Sequence, residues 1–245
     1  MRAMIFAAGL GTRLKPITDT LPKALVPVCG QPLLYHAISK LKASGCDDIV
    51  VNVHHFAEKI KDYLKANDFG VRISISDETA QLLETGGAIK HARALLEGSP
   101  EPFIVHNVDI VSNVDLSAIK CRNGALATLL VSDRKTRRYL LFNDDMRLVG
   151  WTDLSTGEVC SPYPALDPDK CRRLAFAGIH SISPHIFGVF DEINVPERFP
   201  IIDFYLKVCE SYPIYGALQD DLELVDVGKI ETLPEAERIC EKLLK

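Results

Sequence analysis

Apolar runs and amphipathic stretches alternate along the first half of the chain. "AMIFAA" is a short continuous apolar run and reads as a buried strand. In "PLLYHAISKLKASG", Leu34, Ala37, Ile38 and Leu41 recur at three and four residues, which predicts a helix. Pro32 suits its first turn and Gly45 its stop. The same reading gives strands at "DIVVNVHH", "VRISISD" and "PFIVHNVD", and helices at "AEKIKDYLKAN" and "GGAIKHARALLEG". Strands that alternate with helices imply βαβ units, a parallel sheet and right-handed crossovers.

The rhythm changes after about Leu126. "ALATLLVSD", "YLLFND" and "RLVGWTD" are short strands with turn residues between them, and "RLAFAGIHSIS" is another strand. "PHIFGVFDEI" and "PIIDFYLKVCES" read as helices. The strand "LELVDVG" leads into "TLPEAERICEKLLK", where Thr232 and Glu235 have capping-box spacing. Ala236, Ile239, Leu243 and Leu244 form the expected buried stripe there. No repeat, low-complexity tract or Gly/Ser linker divides the chain. A single α/β domain over residues 1–245 is expected: a Rossmann-like mixed, mainly parallel sheet flanked by helices.

Composition changes this picture little. The 245 residues are 47% hydrophobic and 25% charged, as in an ordinary globular protein. A net charge of -5 speaks against nonspecific nucleic-acid binding but leaves room for a local phosphate site. No apolar stretch is long enough to span a bilayer, and the N-terminus lacks a secretory pattern. The seven scattered cysteines form no CxxC pair and read as reduced small hydrophobes, so a cytoplasmic protein is expected, monomer or small homo-oligomer.

The candidate chemistry starts where the first strand ends. Gly9 and Gly11 follow it, then Arg13, Lys15 and Lys23. A glycine loop after a strand exposes backbone N–H groups and lets a phosphate come close. The P-loop pattern fails, because four residues after Gly9 the chain reads Leu14-Lys15-Pro16. The dinucleotide fingerprint fails too: Leu14 stands where a small residue is needed, and the second strand ends at Asn52 and His54 rather than at an acid. That speaks against a Rossmann oxidoreductase. His54-His55 lacks a third spaced metal ligand and reads as strand-end polar residues.

"AAGLGTRLKP…LPKALVPVCGQPLL" resembles the signature of the sugar-1-phosphate nucleotidyltransferases, a G-x-G-T-R loop followed by a P-K-x-L/M-x-P segment. Gly9, Gly11, Thr12, Arg13, Pro22, Lys23, Leu25 and Pro27 all match. "LLETGGAI", "FIVHNVDI", "AFAGIHSISP" and "LVDVGKIETLPEAE" follow in the family's order, so the resemblance runs end to end. The wording looks closest to N-acetylmuramate-1-phosphate uridylyltransferases and to mannose-1-phosphate guanylyltransferase-like relatives.

The resemblance implies the nucleotide-diphospho-sugar transferase fold, with a nucleotide-binding half at 1–125 and a sugar-binding half at 126–245. It implies transfer of a nucleotidyl group from a nucleoside triphosphate to a sugar 1-phosphate, with Mg²⁺ held by Asp109 and Asp226. Ala7, Ala8, Gly9, Gly11 and Thr12 would line the nucleotide. Arg13 would bind the β and γ phosphates, and Lys23 the α-phosphate. Gly86 and Gly87 would offer backbone contacts to the base, and Glu84 a carboxylate for uracil or guanine. Asn107 and Gly178 fall on the sugar side. The family's Glu-Lys-Pro segment, whose lysine binds the sugar phosphate, is absent, and Arg173 is the expected substitute. UTP with N-acetylmuramate 1-phosphate is the expected pair, with GTP and mannose or heptose 1-phosphate as the alternative. Val108 stands where many members have a small residue, which keeps a non-catalytic nucleotide sensor open as a different class.

Overall fold

The computed structural model describes residues 1–243. Leu244, expected in the stripe of the last helix, lies outside them. Strands β1 (Arg2–Phe6), β2 (Pro27–Val28), β3 (Gln31–Pro32), β4 (Asp48–Val53), β5 (Arg72–Asp77), β6 (Phe103–Asn107) and β7 (Ile110–Ser112) are interleaved with helices α1 (Leu33–Ala43), α2 (Ala57–Ala66), α3 (Glu84–His91) and α4 (Arg93–Leu96). The second half contains β8 (Ala127–Ser132), β9 (Arg138–Phe142), β10 (Leu148–Asp153), β11 (Glu158–Cys160) and β12 (Arg172–Ile182). Then come α5 (Ile186–Glu192), α6 (Ile201–Val208), β13 (Ile214–Ala217), β14 (Leu224–Asp226) and α7 (Leu233–Leu243).

Ten strands form one mixed sheet flanked by helices. Its parallel part runs β6-β1-β4-β5, as the alternation implies. The change of rhythm near Leu126 marks the antiparallel part: β12 pairs with β6, β8 and β9, and β9-β10-β11 form a meander at the edge. The two-residue period of the strands sorts their side chains between two cores. Ala3, Ile5, Ile49 and Val51 pack with α1 residues such as Leu34 and Ile38 and with Ala236 and Ile239 of α7. Met4, Val50, Phe103 and Val105 pack on the other face with Phe187, Phe204 and Tyr205 of α5 and α6.

Three local expectations are corrected. The third helix begins at Glu84 and breaks at Ala92. The capping box does not form, because the Thr232 hydroxyl donates to the Lys229 carbonyl (2.7 Å) in the preceding turn. On α7 the buried stripe is Ala236, Ile239 and Cys240, while Leu243 is 48% exposed. No helix among the described residues is long and apolar enough to cross a membrane.

Candidate active site

The first loop is fixed from beneath. Leu14, at 0% exposure, anchors it in the core, a burial of roughly 1.5–3 kcal/mol. Leu14 N–H closes a turn on the Gly11 carbonyl (2.9 Å), which also accepts from the Thr18 hydroxyl (2.8 Å). Gly11 has φ +64°, and a Cβ there would lie 3.0 Å from Thr18 Cγ2 and 3.1 Å from Lys23 Cβ, so glycine is required. Gly9 faces open space. Among the described residues, nothing accepts from the N–H groups of Gly9, Leu10 or Gly11. They border a cavity of about 590 Å³ together with Ala7, Ala8, Thr12, Arg13 and Lys23.

A buried network holds the end of β1. Ala7 N–H donates to Asn52 Oδ1 (2.7 Å), and Asn52 Nδ2 donates to Glu78 Oε1 (2.7 Å). Leu83 N–H donates to Glu78 Oε2 (3.2 Å). Burial raises the Glu78 carboxyl above its usual range, against the pull of the Asn52 bond. Asn52 and Glu78 both border the cavity, and the sequence reading missed them as site residues. The polar Asn52 in the buried strand β4 was the available signal.

Two acids distant in sequence meet through main-chain pairing. Strand β14 pairs antiparallel with β7, placing Asp226 opposite Ile110, and Val227 N–H donates to the Asp109 carbonyl (2.8 Å). Lys23, only 9% exposed, hydrogen-bonds Asp109 Oδ2 and lies 3.9 Å from Asp226 Oδ1. The Asp226 side chain is 39% exposed overall, yet its Oδ1 is shut from solvent and has no hydrogen-bond partner. Burial first, then the Asp109 charge, raises the Asp226 carboxyl, while Lys23, Arg13 and Arg134 pull it back.

Arg13 reaches the same corner. Its guanidinium lies against Gly228, where an added Cβ would come 2.7 Å from Nη2. Glycine after the "VDV" strand therefore makes room for Arg13. On the other side, β12 bulges at Gly178 (φ +77°), and a Cβ there would lie 2.9 Å from Asn107 Nδ2. Asn107, Val108 and Asp109 border the cavity in sequence.

Three predicted contacts are placed otherwise. Gly86 and Gly87 both donate to the Phe199 carbonyl (2.9 and 3.1 Å), so those N–H groups are already occupied. A Cβ would strike Phe199 Cε2 at 2.3 Å on Gly86 and the Glu197 carbonyl at 2.2 Å on Gly87. These glycines admit the segment before α6; Glu84 and Thr85 are the α3 residues that border the cavity. Glu84 itself is paired with Arg198 (2.8 Å). Arg173 pairs with Asp169 and belongs to the part of β12 that joins β9. Arg134 instead lies over the β12 bulge, donating to the Phe176 carbonyl (3.2 Å), and its charge reaches Asp226. His54 bonds the Glu78 carbonyl (2.6 Å), which fits a strand-end role.

Comparison with known proteins bears on the family. Residues 2–138 match the family model described as nucleotidyl transferase. The N-acetylmuramate alpha-1-phosphate uridylyltransferase of Neisseria meningitidis serogroup B is 43% identical over 98% of each chain. The mannose-1-phosphate guanyltransferase of Eremothecium gossypii is 36% identical over 82% of this chain and 56% of its own. The solved structure of HddC from Yersinia pseudotuberculosis superposes with a TM-score of 0.74 over 99% of both chains at 24% identity, which shows the shared fold. This chain belongs to the sugar-1-phosphate nucleotidyltransferase family.

Proposed function

We propose that the protein transfers UMP from UTP to N-acetylmuramate 1-phosphate, releasing pyrophosphate. The observation that carries this reading is the convergence of Arg13, Lys23, Asp109 and Asp226 beside the open glycine loop. The whole-chain identity to the Neisseria enzyme supports the choice of substrates.

The attacking group is a phosphate monoester oxygen, already largely ionised at neutral pH with a second pKa near ~6, so no protein base is needed. The barrier lies in bringing two polyanions into line, and the chain's task is positioning and charge neutralisation. The N–H groups from Gly9 to Gly11, with Ala7, Ala8 and Thr12 around them, receive the nucleotide. Arg13, held over Gly228, binds the β and γ phosphates and stabilises departing pyrophosphate. Lys23 neutralises the α-phosphate. Glu84 and Thr85 face the base end, and Asn107 with Gly178 shapes the sugar end. Arg134 takes the sugar phosphate in place of Arg173. In this reading residues 1–125 chiefly serve the nucleotide and 126–245 the sugar, with Asn107 on one side and Asp226 and Gly228 on the other crossing that division, and the protein works in the cytoplasm.

The acid pair fits a hard divalent cation. Its donors are carboxylate oxygens, and one of them, Asp226 Oδ1, is buried without a partner. No group of three or more His, Cys, Asp or Glu suited to a metal occurs among the described residues. Two carboxylates completed by substrate phosphates is the expected pattern for Mg²⁺. When bound, Mg²⁺ would supply charge neutralisation on the phosphates, with Asp109 and Asp226 as its protein ligands.

The test is pyrophosphate release across a panel of triphosphates and sugar 1-phosphates. UTP with N-acetylmuramate 1-phosphate should give the highest kcat/KM. Release only with GTP and mannose or heptose 1-phosphate would move the protein to the second reading, which the likeness to the Eremothecium enzyme supports. Binding without release under every pairing would leave a nucleotide sensor.

A further inference from the structure

Lys23 occupies a singular position. It is anchored by a turn in which Leu25 N–H bonds the Pro22 carbonyl (2.9 Å) and Val26 N–H bonds the Lys23 carbonyl (3.1 Å). Its backbone is therefore fixed, while its side chain keeps four rotatable bonds. The ammonium is bonded to Asp109 and close to Asp226, so it stands on the ground between the carboxylates. That is also where a shared divalent cation would have to bind.

We propose that Lys23 is the resident counter-ion of the Asp109–Asp226 pair, and that an incoming triphosphate draws it off and so opens the cation site. The proposal rests on the reading above, in which Lys23 serves the α-phosphate and the two acids hold the cation.

The charges argue for an exchange rather than for co-occupancy. Two carboxylates and one ammonium leave the acid pair with one negative charge that Lys23 does not balance. The Lys23 bond goes to Asp109, and Asp226 Oδ1 remains without a hydrogen bond. One ammonium therefore quiets the repulsion without satisfying both acids. A divalent cation between the acids would balance them, but it would repel an ammonium left beside it. A phosphate oxygen gives that ammonium a new partner. Nucleotide thus favours the cation and the cation favours nucleotide, by the same factor in each direction.

Arg13 supplies the control. It is also a cation close to Asp226, and its charge is felt there, but the structure gives it no hydrogen bond to either acid. Removing Arg13 subtracts a positive charge without vacating the space between the carboxylates.

The experiment is a Mn²⁺ titration of the full chain without nucleotide, followed by the electron paramagnetic resonance signal of free Mn²⁺. Wild type, Lys23→Met, Lys23→Gln and Arg13→Gln are compared, with circular dichroism and melting curves to establish folding. The two Lys23 variants should bind Mn²⁺ at least tenfold more tightly than wild type, and Arg13→Gln should change affinity less than threefold. Adding Asp226→Asn to Lys23→Met should abolish the gain. Lys23 variants that bind no tighter than wild type, including no binding by either, overturn the exchange whatever the pyrophosphate assay gives. Equal gains from the Lys23 and Arg13 variants overturn it too, because Lys23 would then act as one more positive charge. Tenfold tighter binding in an inactive protein would uphold the exchange and refute only the reaction.

Discussion

The chain carries two glycine pairs that do different things: Gly9 and Gly11 border the cavity, and Gly86 and Gly87 do not. Gly9 and Gly11 leave backbone N–H groups with no acceptor among the described residues. Gly86 and Gly87 have both N–H groups bonded to the Phe199 carbonyl and their missing Cβ space filled by residues 197–199. Both pairs are expected at the substrate, the first as a glycine loop after a strand and the second from the family resemblance of its segment. The difference lies in the neighbour, which comes from 110 residues further along the chain and leaves no local mark. A glycine makes room either for a ligand or for the protein itself.

The largest expected effect removes the partner that gives the first pair its purpose. Asp109→Asn should lower kcat by about a hundredfold or more while the circular dichroism spectrum stays unchanged, since charge placement is the main catalytic device here. A near-normal rate at saturating Mg²⁺ would detach the loop from the acids. Next comes the direct contrast between the pairs. Gly87→Ala forces a methyl onto a backbone carbonyl and should destabilise the fold by about 1–3 kcal/mol, read as a lower melting temperature, with turnover per folded molecule largely kept. Gly9→Ala should leave the melting temperature alone and raise KM for the nucleotide about tenfold. Reversed results would exchange the two roles. The smallest effects separate two arginines at the sugar end. Arg134→Gln should raise KM for the sugar phosphate about tenfold, the scale of a lost charge-assisted bond. Arg173→Ala, which breaks only an exposed pair, should leave kinetics within about twofold.

These contrasts show which parts of the molecule were legible in the sequence. Period-two and period-3.6 patterns are local, so the strands β1, β4, β5 and β6 and helix α1 could be read directly, while the two-residue strands β2 and β3 are too short to carry a pattern. The Gly9–Lys23 segment was legible because its residues act close together in the chain. Pairing of β7 with β14 could not be read, since nothing in "NVDI" refers to "LVDV"; the meeting of Asp109 and Asp226 followed only from the resemblance. Arg134 and Arg173 look alike in sequence, and only the bulge in β12 and the neighbouring Asp169 tell them apart. Thr232 keeps the spacing of a capping box and directly precedes α7, but it already belongs to a tight turn over Ile230–Thr232, so its hydroxyl turns back to Lys229, a boundary detail that a pattern does not resolve.

The β7–β14 ladder has a further consequence. The main-chain positions of the two acids are set by strand register over three paired residues, with Asp109 next to the first of them. Swaps of neighbouring side chains should leave those positions almost untouched. A single-residue insertion or deletion in either short strand would turn one acid to the opposite face of the ladder. The acid pair should therefore withstand changes in what surrounds it better than any change in the length of the two threads that tie it together.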